Sequence, residues 1–264
     1  MHTVNKSTIF SSSATASHNR TLPKPNEDRI FIDQSQGLFI LLDGITRVHD
    51  EYFDAPYKSA ACEINEIFIH GICDYFDQYA DAEQDIESLL REAVRYGNSQ
   101  IAHYRSQKAL EDWGFYPGTV GIVAYIHNNQ LHYIYAGDCI GILLRNNAKI
   151  CFGEQYAVAA CDFLNPSKQE RYSKYCNHPE NTWSYTIFNG DDIVADWCEY
   201  AYIDLHKEDV ILLASDGIRS YVRFEKPNVL KELSVEAMLD ASEIYDVSPF
   251  APYADDKAII KILF

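Results

Sequence analysis

From Gly37 to Gly44 the chain reads Gly-Leu-Phe-Ile-Leu-Leu-Asp-Gly, an apolar run stopped abruptly by a carboxylate and a glycine. An unbroken apolar run of that length, ended by a turn residue, has the pattern of a strand buried on both faces. An ionised aspartate at the buried end of such a strand is costly unless a positive charge meets it. The same grammar returns at Val210-Ile-Leu-Leu-Ala-Ser-Asp216-Gly217. Two such ends in one chain point to both acids being delivered to one place, where a metal ion is expected to offset them.

The segments around these two strands indicate how they are brought together. Thr8 to Ser13 has the composition of a modest opening strand, and a polar stretch follows through Asn26. Glu27 to Asp33 reads as a strand, and Gln34 to Gly37 as its turn into the Gly37–Gly44 run. So short a link predicts an antiparallel hairpin, which sets Asp28 close to Asp43. Ala60, Ile64, Phe68, Ile72 and Phe76 recur at helical spacing, as do Leu89, Leu90, Ala93, Val94 and Ile101. Each stripe is single, so the two helices are expected as an antiparallel pair on one face of a sheet.

Strand patterns then follow at Thr119–His127, Leu131–Ala136, Ile140–Arg145 and Lys149–Phe152. Asn128-Asn129 and Asn146-Asn147 supply turns, and the close spacing predicts one antiparallel meander. Pro166 to Cys176 reads as a polar helix within a flap. Tyr185 to Phe188 and Ile193 to Leu205 read as further strand, Asn228 to Ser242 as one helix, and Lys257 to Phe264 as a closing strand. No repeat or linker divides residues 1–264, so a single domain is expected.

Charge narrows the function. Asp plus Glu total 39 against 22 Lys plus Arg, a net charge of −17, which excludes the basic face of a nucleic-acid binder. A phosphorylated substrate would need local charge reversal, which bound divalent cations supply. The seven cysteines are scattered without a Cys-x-x-Cys pair, which points to a reducing cytoplasmic compartment. The N-terminus has no apolar signal core, and no run approaches membrane-spanning length.

Four segments place acids beside β-rich runs: Glu27-Asp28, Asp43-Gly44, Asp216-Gly217 and Asp255-Asp256. Hard divalent cations such as Mg²⁺ or Mn²⁺ select oxygen ligands of this kind. A glycine beside a ligand lets backbone approach closely and present its carbonyl. Two ions side by side would acidify a shared water and clamp a phosphoryl group. One Asp-Gly alone is an ordinary turn; four acidic segments against strands are not explained that way. Rival chemistries lack their motifs. Leu213 stands where a Gly-x-Ser-x-Gly elbow around Ser215 needs glycine, and there is no phosphate-binding glycine loop or His-Glu-x-x-His.

These residues resemble the metal-dependent protein phosphatases of the 2C type. Asn26-Glu27-Asp28 is similar to that family's early acidic motif, and Leu42-Asp43-Gly44 to its metal-bridging Asp-Gly. Gly118-Thr119 and Gly137-Asp138-Cys139 resemble its central motifs. Leu213-Ala214-Ser215-Asp216-Gly217 resembles its Ser-Asp-Gly segment, and Asp255-Asp256 its final Asp-Asn. The resemblance implies an α+β fold, a central antiparallel β-sandwich flanked by helix pairs on both faces in four αββα layers. It implies a cytoplasmic hydrolase of phosphoserine and phosphothreonine in proteins, using two Mg²⁺ or Mn²⁺ ions, with a third as an option. Asp43 would bridge the ions, with the Gly44 carbonyl on one of them. Asp216 and Asp255 would ligate one ion, and Asp28 and Glu27 would hold waters on or near them. Asp138 would mark a third, weaker ion, or else cap backbone amides as a hairpin carboxylate.

The departures are specific. Ile45-Thr46 follows Asp-Gly where many relatives carry His, and His49 reads as a surface residue. Lys24 stands in for a phosphate-gripping Arg, with Arg20 further back, and a lysine grips as a point charge. The readings this leaves open beside the phosphoprotein phosphatase are a catalytically degenerate binding protein of the same fold and a phosphatase of small phosphorylated metabolites.

Overall fold

A computed structural model of the chain describes residues 10–16, 26–45, 59–80, 85–108, 117–246 and 255–264. Among these, two five-stranded antiparallel sheets face each other. The first has the order β1 (Phe10–Ala16), β10 (Lys257–Leu263), β9 (Val210–Ala214), β6 (Ile140–Arg145) and β7 (Ala148–Phe152). The second runs β2 (Arg29–Asp33), β3 (Leu38–Ile45), β4 (Gly118–His127), β5 (Gln130–Ala136) and β8 (Glu199–Asp204).

Strand periodicity sorts the side chains into three apolar layers. Phe39 and Leu41 of β3 meet Ile211 and Leu213 of β9 and Ile260 of β10 between the sheets. Leu38, Ile40 and Leu42 point the other way, onto α1 (Ala60–Tyr79) and α2 (Ile86–Gln107), through Phe68, Ile72, Leu90 and Val94. On the far face Leu212, Ala214 and Ile259 pack against Ile218, Leu230 and Met238 of α6 (Asp216–Phe224), α7 (Pro227–Glu232) and α8 (Val235–Asp246). The result is the expected four-layer αββα arrangement.

Local chemistry explains the element ends. Ser59 and Asp85 cap α1 and α2 by accepting from the Cys62 and Ser88 amides at 3.1 and 3.0 Å. Asn128-Asn129 and Asn146-Asn147 both take positive φ, as two-residue hairpin turns require. The β2–β3 hairpin also forms as read, with Arg29 opposite Leu42.

Tyr185–Phe188 is not a strand but two isolated bridges, Cys176 with Tyr185 and Thr119 with Phe188, and three further expectations need correction. The meander is two hairpins in different sheets: β4–β5 belongs to one and β6–β7 to the other, and the chain crosses at Gly137-Asp138-Cys139. Alternation within a strand cannot report which sheet that strand joins. Ile193–Leu205 is strand only from Glu199; α5 (Val194–Trp197) is one helical turn whose Val194 and Ala195 fill the α2 side of the core. Asn228–Ser242 is not one helix, because the chain extends at Leu233 and α8 restarts after it. The polar helix read at Pro166–Cys176 is present as α4 (Lys168–Tyr175), preceded by α3 (Tyr156–Leu164).

Three strand lysines tie the far helices to the first sheet, Lys257 of β10 through the Ser242 hydroxyl of α8 at 2.8 Å. Buried Lys261 donates to the carbonyls of Leu230, Lys231 and Leu233 at 3.1, 2.7 and 2.7 Å. Lys149 does the same at the end of α6, at 2.9 Å from Val222 O and 2.8 Å from Arg223 O. A buried ammonium is costly unless all its protons are met, and a helix C-terminus offers unpaired carbonyls and a negative dipole end. Lys261→Met should therefore lower unfolding stability by about 2 kcal/mol, read as a shift in urea midpoint. An unchanged midpoint would show that these bonds contribute nothing net.

Candidate metal centre

The periodicity that builds the core also aims the acids. Asp43 shares a strand face with Phe39 and Leu41, so it continues the inter-sheet layer toward one end of the sandwich. It does not end its strand: β3 continues through Gly44 and Ile45, opposite Thr119 and Gly118. The Thr119 hydroxyl donates to the Asp43 carbonyl at 2.8 Å, which fixes the backbone there from the neighbouring strand. Asp216 follows β9 as the first residue of α6, where a carboxylate meets the positive end of the helix.

Both glycines serve close approach. A β-carbon on Gly44 would lie 2.7 Å from the Glu27 carbonyl oxygen and 2.9 Å from its Cβ. One on Gly217 would lie 2.1 Å from the Asp256 carbonyl oxygen. Each Asp-Gly therefore lets a second acidic segment lie directly against it. The segments are then cross-tied. The Asp256 carboxylate accepts from the Glu27 amide at 3.0 Å, and Asn65 donates to the Glu27 carbonyl at 2.6 Å. Ser215 donates to Asp28 Oδ2 at 2.6 Å while accepting from the Ala258 amide at 2.8 Å. Asp255 accepts from the Asp256 amide at 2.9 Å.

At the centre of this lattice, carboxylate oxygens of Asp43, Asp138 and Asp216 lie within 4.8 Å of one another. Asp28 and Asp255 stand beside the trio, near enough for their charges to act on Asp43. Burial, and then the charges of Asp216, Asp28, Asp138 and Asp255, hold the Asp43 carboxyl well above the usual carboxylate range. Burial raises Asp28 too, against the Ser215 hydrogen bond and with the charge of Asp216 adding to it. Asp216 is raised to about 7, by burial first and then by Asp138 and Asp255. Asp138 is also raised by burial, which the neighbouring Arg219 guanidinium opposes.

This donor set fits a hard divalent cation. All the donors are carboxylate oxygens, they are crowded beyond what mutual repulsion favours, and Asp216 Oδ1 is buried without a hydrogen-bond partner. Of the residues named from sequence, Asp43, Asp138 and Asp216 form the trio, Asp28 and Asp255 flank it, and Glu27 is buried behind Gly44. Lys24, Arg20 and His49 lie outside the described residues.

Several participants have roles that the sequence does not announce. Ser215 and Asp256 serve as ties between acidic segments. Gln155 pins the sheet-crossing corner, accepting from the Gly137 amide at 2.9 Å and donating its own amide to the Gly137 carbonyl at 2.8 Å. Arg219 reaches Asp138 Oδ2 at 3.1 Å. Its position three residues after Asp216 gives it the same helix face, a signal visible only once α6 is recognised as a helix.

No protein-family model and no curated protein matches this sequence. The fold does match solved structures. The serine/threonine phosphatase PstP/Ppp of Mycobacterium tuberculosis superposes with a TM-score of 0.68 at 20% identity, covering 97% of this chain and 98% of that one. The catalytic domain of PstP in complex with two manganese ions gives 0.64 at 19% identity over 97% and 98%. Serine/threonine phosphatase Stp1 from Staphylococcus aureus gives 0.66 at 18% identity over 98% and 96%. The described residues thus have the protein phosphatase 2C-like fold.

The raised acids predict how a cation would act on stability. A carboxyl whose folded pKa stands above its unfolded value binds more protons when folded, so rising pH costs stability between those values. For Asp216 the window closes at about 7. Added Mn²⁺ should raise the melting temperature more at about pH 8 than at about pH 6, where it must first displace protons. Equal shifts at the two pH values would show that these acids do not receive the ion.

Proposed function

We propose that this protein is a Mg²⁺- or Mn²⁺-dependent phosphatase that hydrolyses phosphoserine and phosphothreonine in proteins. The meeting of Asp43, Asp138 and Asp216 within 4.8 Å, inside the fold that serine/threonine phosphatases share, carries the reading. The solved relative that holds two manganese ions supports a pair of ions here. Asp43 would lie between them with the Gly44 carbonyl, Asp216 and Asp255 would complete one, and Asp28 and Glu27 would hold water on or beside them. Ions in that place would acidify a water for attack on phosphorus and offset the charge that gathers on the phosphoryl oxygens.

The chain's own residues supply position. Ser215 keeps Asp28 turned inward, the Thr119 bond holds the Asp43 backbone, and the Asp256 tie stops Glu27 from drifting away from Gly44. The nearby side chains of a nucleophile type are otherwise committed. The Ser215 hydroxyl is buried and engaged as both donor and acceptor. Burial, with the adjacent carboxylates, pushes the Cys139 thiol well above its usual range, so it stays protonated. Direct attack by water, without a covalent phosphoenzyme, is the chemistry that remains.

Substrate and compartment belong to the same proposal. The phosphatase relatives favour a phosphorylated protein as substrate. All seven cysteines are free, which supports a reducing cytoplasm, and no helix among the described residues is long and apolar enough to cross a membrane. Asp43→Asn and Asp216→Asn should each cut Mn²⁺-dependent hydrolysis of a phosphothreonine peptide by at least about a thousandfold. Chelation should abolish it and added manganese should restore it. Near-wild-type turnover in both variants would defeat the mechanism, and a preference for sugar phosphates over peptides would move the substrate class.

A further inference from the structure

We infer that the Arg219 guanidinium is a tethered cation seated on Asp138, where it keeps a further divalent ion off that carboxylate. The inference rests on the metal-dependent reading above and deepens it, because it makes one side chain set how many ions the centre loads.

The seat is built from three directions. Arg219 Nη1 lies 3.1 Å from Asp138 Oδ2, 3.4 Å from the Asp138 carbonyl oxygen and 3.4 Å from Glu154 Oε1. Arg223, one turn further along α6, takes the other oxygen of Glu154, so Glu154 is held between two arginines. Gln155, next in the chain, is bonded through its amide and its side chain to Gly137, next to Asp138. The backbones of Asp138 and Glu154 are thereby held side by side, with both carboxylates bonded to the arginine. Arg219 has a preformed place rather than a chance surface contact.

A guanidinium in that place competes with a metal ion in two ways. It occupies Oδ2, leaving Asp138 a poorer ligand, and it holds a full positive charge beside the carboxylate trio. Unlike a free ion it pays no translational entropy to be there, and it stays charged at every pH of interest. The arrangement also accounts for Asp138 more fully than either sequence reading. The carboxylate belongs to the trio, yet one of its oxygens already has a cation.

The test is the count of manganese ions bound, using Mn²⁺ alone as the probe, by calorimetric titration and by the electron paramagnetic resonance signal of the free ion. Arg219→Gln, which keeps a polar chain without the charge, should bind one more Mn²⁺ than wild type, or bind its weakest ion about tenfold more tightly. Arg219→Lys and Arg223→Gln should titrate like wild type, because the first keeps a cation and the second touches only Glu154. Arg219→Met gives an independent reading if Arg219→Gln folds poorly: it too removes the charge while keeping an unbranched chain, and it should gain the same ion.

Superimposable isotherms for wild type, Arg219→Gln and Arg219→Met would overturn the inference. Wild type binding and hydrolysing normally beside such a null result would leave the proposed function standing. A wild type that takes up no Mn²⁺ while Arg219→Gln does would defeat the metal-dependent activity and uphold the tethered cation. No uptake by either would defeat both.

Discussion

Everything at the end of this sandwich depends on keeping carboxylates together that repel one another. Three of them meet within 4.8 Å, where each like-charged pair costs about 3 kcal/mol or more at an effective dielectric of about 20. Burial adds a desolvation cost to each. The protein meets this partly by protonation, seen in the raised Asp43, Asp28 and Asp216 carboxyls, and partly by Arg219. Charge repulsion that neither device removes is what a divalent cation would offset, as the proposed function requires.

Such a site needs a scaffold that cannot relax. If the four acidic segments could drift apart, repulsion would separate them. Two features prevent it. The glycines let backbone lie against backbone, so Glu27 is held to Gly44 and Asp256 to Gly217 with no side chain between them. The ties made by Ser215 and Asp256 then join segments from the two sheets, and Asn65 of α1 holds the Glu27 carbonyl, at sequence separations from 38 to 229 residues. Behind them stand three apolar layers whose packing is set by strand periodicity. The same alternation that points Phe39 and Leu41 inward carries Asp43 to the end of that row, so core and site are one pattern.

How far this was legible from sequence follows from the range of each interaction. Buried strands such as Leu38–Leu42 and Val210–Ala214, the single-stripe helices α1 and α2, and the Asn-Asn turns are local patterns, and they appear where they were read. The proximity of Asp28 to Asp43 was legible too, because a hairpin converts sequence order directly into neighbourhood. The crossing between sheets at Gly137–Cys139 was not, since β5 and β6 alternate alike whichever sheet they enter. Ser215 and Asp256 stood within motifs that the sequence shows, but their roles as ties did not, because their partners lie far away along the chain. Helix α6 was hidden behind its Asp-Gly, which reads as a turn. Its apolar positions, Ile218, Tyr221 and Val222, span little more than one turn.

The short helix that was hard to read carries the most consequence. A helix starting at Asp216 turns one acid into the anchor of a face, and Arg219 follows on that face after three residues. Had the chain continued as a loop, the arginine would have no defined direction and Asp138 no partner. Because α6 is locked at its far end by Lys149 and along its length by Ile218 and Val222, the guanidinium is placed by the core. Charge at the centre is therefore balanced by a residue whose position is set by packing, and the electrostatics of the site follow from the fold that surrounds it.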